Sequence, residues 1–116
     1  MQDGARSRGA AAHSGETGLS YWLHEEAEAE LGDAAVYYAQ HATKKIALAF
    51  LEEFERAIEL LVIDQQLGTL KDAGMRTYPF QRFPYSIVYR EDAAAGPQVF
   101  AVAHQHREPG YWQGRL

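Results

Sequence analysis

Two segments in the first half of the chain have the spacing of amphipathic helices. In EEAEAELGDAAVYYAQH, which follows His24, apolar residues recur every three or four positions and acidic residues crowd the first turn. In KKIALAFLEEFERAIELLVI, which follows the suitable N-cap Thr43, apolar residues form one continuous stripe. That stripe consists of Ile46, Ala47, Phe50, Leu51, Phe54, Ala57, Ile58 and Leu61. We expect the intervening acids, Glu53 among them, to face solvent, and the helices to form an antiparallel hairpin.

Short strands are predicted on either side of this helical hairpin. They cover residues 19–23 (LSYWL), 75–83 (MRTYPFQRF), 85–90 (YSIVYR) and 98–104 (QVFAVAH). Residues 69–74 are expected to be a loop, and Pro79 confines its strand to a sheet edge or a bulge. Because the last three strands are joined by short connections, they predict an antiparallel meander. The fold class is therefore α+β, a two-layer β-α-α-β-β-β arrangement with the helical hairpin packed on an antiparallel sheet.

The composition is that of a small globular domain. Residues 1–18 are small, polar and aperiodic, which indicates a flexible leader or a cloning remnant, and residues 19–116 are expected to form a single domain. The chain has no cysteine, so disulfides and thiolate metal sites are excluded. No apolar run approaches the roughly 20 residues of a membrane helix, and none follows Arg6 and Arg8 as a secretory signal would require. We expect a cytoplasmic protein with no membrane partner.

Charge is unevenly distributed along the chain. Residues 20–74 contain four basic and eleven acidic side chains, a balance of −7, whereas residues 75–116 contain five arginines and three acids, a balance of +2. Arginine suits the planar recognition of carboxylate or phosphate groups. On an acidic protein, however, five arginines are only a weak indication of nucleic-acid binding.

The segment AHQHREPGYW, residues 103–112, concentrates the candidate chemistry. His104 and His106 are two apart on a strand and point the same way, but no third metal ligand is close in sequence, so we expect no metal and no cofactor. His104 can instead satisfy a carbonyl or carboxylate group, and Arg107 can pair with an acid. The adjoining Tyr111 and Trp112 either cap the edge of the core or contact a partner. In the same way, Arg76 can pin the loop before the meander by bonding to carbonyl groups.

The order and spacing of several motifs resemble the RelE/ParE superfamily, toxins of type II toxin–antitoxin (plasmid stabilization) systems. These motifs are EEAEAEL and YY in the first helix, the amphipathic second helix, GMR at 74–76, RFPYSIVY at 82–89 and AVAHQHREPGYW at 101–112. The resemblance runs from about Tyr21 to Arg115, which is nearly all of the predicted domain. It implies a growth-inhibiting toxin that is held inactive by a cognate antitoxin in a hetero-oligomer.

The superfamily has two branches with different activities. RelE-like members are ribosome-dependent mRNA endonucleases that use basic residues near the scissile phosphate, whereas ParE-like members poison DNA gyrase without acting as nucleases. This chain has no lysine at residues 77–79 and has Ser86 where the RelE pattern has arginine. The ParE pattern is matched by Gly74-Met75-Arg76, by Tyr89-Arg90 and by His104. The resemblance therefore favours a non-enzymatic gyrase inhibitor; the alternatives are a RelE-like endoribonuclease acting on ribosome-bound mRNA and a non-toxic member that only binds antitoxin.

The resemblance also implies two overlapping sets of site residues. The candidate active face consists of Arg76, Arg82, His104, His106, Arg107 and Tyr111. The candidate antitoxin-binding residues are Arg76, Arg82, Arg90, Arg107, Tyr111 and Trp112. The antitoxin is expected to fold on binding and to add a helix or strand along a groove and sheet edge.

Overall fold

A computed structural model of the protein describes residues 10–14 and 20–116. The elements in chain order are β1 (Ala10–Ser14), β2 (Ser20–His24), α1 (Glu25–His41), α2 (Lys44–Ile63), β3 (Thr69–Leu70), β4 (Met75–Pro79), β5 (Tyr85–Arg90) and β6 (Gln98–His104). Two 3-10 turns follow β3 and β6, at Asp72–Gly74 and Gln113–Arg115. In the described part of the chain, neither α-helix combines the length and apolarity needed to cross a lipid bilayer.

Both helices begin with side-chain caps. The His24 ring nitrogen Nδ1 accepts a hydrogen bond from the Glu26 amide at 3.0 Å, and the Thr43 hydroxyl accepts one from the Ile46 amide at 3.0 Å. Each cap satisfies an amide that the first turn of a helix leaves without a partner. The predicted helices and the Thr43 cap are confirmed.

The outward orientation expected for Glu53 is wrong. Its carboxylate is buried on the stripe of α2 and accepts hydrogen bonds from the Gln81 and Arg82 amides in the loop between β4 and β5. Because main-chain amides need acceptors, an acid at this helix position stabilises the loop more than an apolar residue would. The periodicity of α2 could not predict this contact, because the loop lies 28 and 29 residues further along the chain.

The described strands form one sheet in the order β1-β2-β6-β5-β4-β3. The antiparallel meander of β4, β5 and β6 is confirmed, and both helices pack on one face of the sheet. However, β2 pairs with β6 in parallel, so the sheet is mixed and not purely antiparallel. The short strand β3 lies inside the predicted loop 69–74 and pairs with β4 only at Arg76 and Thr77. Pro79 therefore lies on the open edge of the sheet, as its missing amide requires.

Part of the predicted leader belongs to the sheet. Strand β1, within residues 1–18, pairs antiparallel with β2 from Ala10 opposite His24 to Ser14 opposite Ser20. For these five residues the structure replaces the expected flexible leader with a strand. The rest of the leader lies outside the described residues.

The core has one large cluster and one small cluster, on opposite faces of the sheet. The large cluster, between sheet and helices, includes the fully buried Phe50, Leu61 and Tyr89. The small cluster, Met75, Val88, Phe100 and Ala101, is covered by Trp22, Tyr111 and Trp112. Residues 105–116, called here the C-terminal tail, thus return across the face of the sheet that the helices leave open.

Candidate functional site

The structure brings four of the predicted site residues together where β6 ends. His104 Nδ1 accepts a hydrogen bond from the His106 amide at 3.0 Å, and the two rings are 5.0 Å apart between centroids. The Arg107 guanidinium carbon lies 3.7 Å from the centroid of the Tyr111 ring, a close cation–π contact. Among the residues described, no three His, Asp or Glu side chains are grouped to hold a metal ion.

This group packs beside a charged cluster that the residue pattern did not predict. Glu30 of α1 accepts hydrogen bonds from the Tyr111 hydroxyl at 2.7 Å, from Arg115 at 2.8 and 3.0 Å, and from the Val102 amide at 3.0 Å. Arg115 also donates to the Phe100 carbonyl at 2.9 Å. The side chains of Glu30 and Arg115 are only 17 % and 10 % exposed. We call Glu30, Tyr111 and Arg115 the Glu30 cluster.

The Glu30 cluster completes the edge of β6. Strand β2 pairs with β6 only at Gln98 and Val99, so the backbone groups of Phe100 and Val102 lie beyond its reach. The Arg115–Glu30 ion pair bonds to these groups where a neighbouring strand would otherwise do so. A sequence signal for this role existed, because Glu30 is three residues after buried Ala27 and four before buried Ala34.

The surroundings of Glu30 fix its protonation at neutral pH. Burial by itself would raise the pKa of Glu30, but the hydrogen bonds from Arg115, Tyr111 and Val102 outweigh it, so the pKa lies below the ordinary 4.5. Burial and the adjacent carboxylate raise the pKa of Tyr111 well above its usual value. Glu30 is therefore a charged acceptor and Tyr111 a neutral donor.

Arg76 lies apart from this group, on β4, which is separated from β6 by β5. Its side chain is 14 % exposed and donates to Glu91 at 2.7 Å and to the Gly68 carbonyl at 2.8 Å. These are the loop-pinning contacts predicted as the alternative to a functional role. They join β4 to the loop that follows α2.

Replacing Arg76 with alanine is expected to lower the free energy of unfolding by roughly 1–3 kcal/mol, because the Gly68 carbonyl and Glu91 lose a charged donor. Urea unfolding of the purified protein measures the change. Arg56→Ala on exposed α2 surface is the matched control, with an expected change within about 0.5 kcal/mol. Equal unfolding midpoints for the two variants would contradict the loop-pinning role.

Arg82 and Arg90 occupy two further places. Arg82 is 60 % exposed, pairs with Glu53 at 3.3 Å, and borders a groove of about 280 Å³ between α2 and the end of β4. On the face covered by the tail, Arg90 lies 4.9 Å from the Phe100 ring centroid and donates to Gln98 at 3.1 Å. Trp112 packs half-buried on that face, beside a second groove of about 510 Å³. The predicted residues are therefore distributed over several surfaces and do not form one compact site.

Comparison with known proteins identifies the family. The sequence profile described as "ParE toxin of type II toxin-antitoxin system, parDE" matches residues 21–109. The chain belongs to the ParE toxin family. The resemblance inferred from the ordered motifs is thereby confirmed.

A solved structure of a ParE-related system supports the fold. The structure titled "Chromosomal ParDE TA system from P. aeruginosa" is similar with a TM-score of 0.61 and 21 % sequence identity. The similarity covers 71 % of this chain and 90 % of that chain. It confirms the α+β fold class of this ParE-family chain.

Curated relatives with a different description also match. Carnitinyl-CoA dehydratases of Salmonella paratyphi B and Salmonella agona are each 31 % identical to this chain over 90 residues, which is 76 % of its length. The chain spans 31 % of the length of these curated relatives. The dehydratase activity in their name is that of those longer proteins.

Proposed function

We propose that this ParE-family chain inhibits bacterial growth by poisoning DNA gyrase and is neutralised by a cognate antitoxin. The observation that supports a non-nuclease toxin is the chemistry of the 510 Å³ groove. Thr77 and Ser86, in the strands where the RelE pattern has basic residues, line this groove with neutral hydroxyl groups. The basic side chains that line it, Lys71, His104 and Arg107, come from outside these two strands. Cleavage of RNA requires cations beside the phosphate that gains charge, so these positions favour the ParE activity over the RelE activity.

The groove beside α2 supports neutralisation by an extended antitoxin segment. Tyr78 and Pro79 lie beyond the two residues of β4 that pair with β3, so the described strands leave their outer edge open. Leu60, 42 % exposed, lines the adjoining groove together with Arg56 and Arg82. An added strand could donate a main-chain hydrogen bond to the open edge, where Pro79 offers a carbonyl but no amide. It would also gain apolar contact in the groove and charge pairing with the arginines.

The predicted antitoxin-binding residues differ in how available they are for a partner. Arg82 and Arg107 are exposed. The others are half-buried and have contacts within the chain, namely Arg76, Arg90, Tyr111 and Trp112. We therefore assign the main charge contacts with an acidic antitoxin segment to Arg82 and Arg107. The resulting complex would be a cytoplasmic hetero-oligomer.

Induced expression without antitoxin is expected to reduce colony counts, cause filamentation and activate a DNA-damage reporter, since a poisoned gyrase leaves broken DNA. Purified toxin should inhibit supercoiling by gyrase, and co-expression of the antitoxin should restore growth. His104→Ala and Arg107→Ala should relieve toxicity, whereas Glu59→Ala on the exposed face of α2 should not. Arg76→Ala is a poor probe because it also weakens the fold.

Two results would count against gyrase poisoning. Rapid cleavage of transcripts without a DNA-damage response would identify a ribosome-dependent endoribonuclease. Normal growth of cells that contain folded, antitoxin-binding protein would identify a non-toxic member. If His104→Ala and Arg107→Ala both remain fully toxic, the active face is placed wrongly.

A further inference from the structure

A row of six aromatic rings crosses the end of the molecule where α1 meets β5 and β6. Successive ring centroids are 4.3, 5.7, 6.5, 5.0 and 5.0 Å apart. In order, the rings belong to His41, Tyr37, Tyr38, Tyr85, His104 and His106. Both ends of this aromatic row are exposed, and Tyr37 is 54 % exposed.

The aromatic row borders an open cleft. Tyr37, Tyr85 and His104 line a cleft of about 270 Å³, and Ala34 and Val102 add apolar surface to it. The volume is slightly below the roughly 300–1,000 Å³ of sites for drug-sized ligands, so the cleft suits one planar ring system. Rings that line a cleft can offer their faces or edges to such a guest.

Basic side chains accompany the row along its length. Arg107 lines the same cleft, and Arg82 is next to Phe83, whose ring centroid is 5.1 Å from that of Tyr38. At the other end, Lys44 and Lys45 begin α2 shortly after His41. Arg82 is also paired with Glu53 at 3.3 Å but is 60 % exposed. These cations bring positive charge to this end of an otherwise acidic protein, where it can attract phosphate groups.

Two acidic side chains also line the cleft. The charge of Glu30 is offset by Arg115 at 2.8 Å. Asp33 is exposed on α1 and lines the cleft on the helix side. A carboxylate there can accept a hydrogen bond from the amino group of a base, so it is compatible with the same ligand.

We propose that the aromatic row and its cleft bind single-stranded nucleic acid, with unpaired bases stacked on its exposed rings and phosphates paired with Arg82, Arg107 and Lys44. Aromatic side chains beside cations are the usual means of binding single strands without sequence preference, because every base has a π face. A duplex keeps its bases stacked on one another and cannot use the row in this way. This site does not depend on the proposal that gyrase is the target.

The test is fluorescence anisotropy of the full chain with a labelled single-stranded DNA of about 12 nucleotides, within the site sizes of such proteins. We expect the single strand to bind more tightly than its duplex, and the affinity to fall with salt with a logarithmic slope of about −2 for three phosphate contacts. Tyr37→Ala should weaken binding by about fivefold or more, whereas Tyr37→Trp should retain it. Leu48→Ala, at an apolar position that is 59 % exposed, is the matched control.

Three results would overturn the site. They are no binding of the single strand at low salt, binding of the duplex at least as tight, and unchanged affinity in both Tyr37→Ala and His106→Ala. If the single strand does not bind, the exposed rings would instead favour a protein partner. Thermal unfolding of each variant verifies that it is folded. If the chain binds the single strand but has no effect on gyrase, the proposed function is refuted and this site is retained. If the chain inhibits gyrase but does not bind the single strand, this site is refuted and the proposed function is retained.

Discussion

Replacing Glu30 with alanine is expected to destabilise the protein by roughly 3 kcal/mol, the lower end of the range for breaking a buried ion pair. Three groups lose their acceptor at once, namely the Arg115 guanidinium, the Tyr111 hydroxyl and the Val102 amide. Arg115, only 10 % exposed, would be left as a charge with little access to water. Urea unfolding followed by circular dichroism gives the change in free energy.

The matched control is a second acid that contacts the same arginine. Glu26 lies 3.5 Å from Arg115 but is 62 % exposed, so Glu26→Ala should cost less than about 1 kcal/mol. Similar losses in the two variants would show that Glu30 contributes as an ordinary surface acid. In that case the ion pair would not be needed at the edge of β6.

The same residue predicts how stability depends on pH. Because the pKa of Glu30 is lower in the folded state than the ordinary 4.5, its contribution is fully present above pH 4.5 and is lost as the pH falls through the folded pKa. The stability difference between the wild type and Glu30→Ala should therefore shrink in acid. A difference that stays constant down to the acid transition would contradict the lowered pKa.

Replacing Gly96 with alanine is expected to cost about 2–5 kcal/mol, the sum of about 1–2 for a left-handed backbone and 1–3 for steric overlap. Gly96 has φ +85°, and an added Cβ would overlap the Ser20 carbonyl oxygen and lie 3.2 Å from its carbon. The obstacle is backbone, so a side-chain rotation cannot relieve it. The carbonyl of the next residue, Pro97, accepts a hydrogen bond from the Trp22 amide at 3.0 Å. A backbone shift at Gly96 would therefore also weaken the junction between β2 and β6.

A second glycine substitution provides a control of opposite sign. Gly32 lies inside α1, and a Cβ added there meets nothing within 4 Å. Gly32→Ala should raise stability by about 1 kcal/mol, because alanine restricts the unfolded chain and favours the helix. Thermal unfolding of the two variants should therefore shift in opposite directions. A wild-type midpoint for Gly96→Ala would show that the turn adapts without cost.

The Glu30 prediction also concerns the support of a proposed surface. The Glu30 cluster holds the Tyr111 ring, and the Arg107 guanidinium lies 3.7 Å from its centroid. Loss of Glu30 should therefore disturb Arg107 as well as the fold. Arg107→Ala, by contrast, removes a proposed contact from an exposed position and leaves the cluster in place.

The sequence by itself determined the elements whose signals are local. Helix α2, with its Thr43 cap, and strands β5 and β6 have the predicted bounds. Periodicity and capping depend on neighbours a few residues apart, so one stretch of chain contains the whole signal. The order of the elements and the ParE resemblance together also predicted the two-layer fold.

Only the tertiary structure decided which polar groups are buried and which partners they meet. Glu30 and Arg115 are 85 residues apart in the chain, and Glu53 meets Arg82 from 29 residues away. The parallel pairing of β2 with β6 and the aromatic row also join distant segments. A local pattern assigns a charged residue to solvent because isolated charges are costly to bury. That cost is offset only when a distant partner lies beside the charge. The spacing of Glu30 could indicate that it faces the core, but no local pattern identifies Arg115 as its partner.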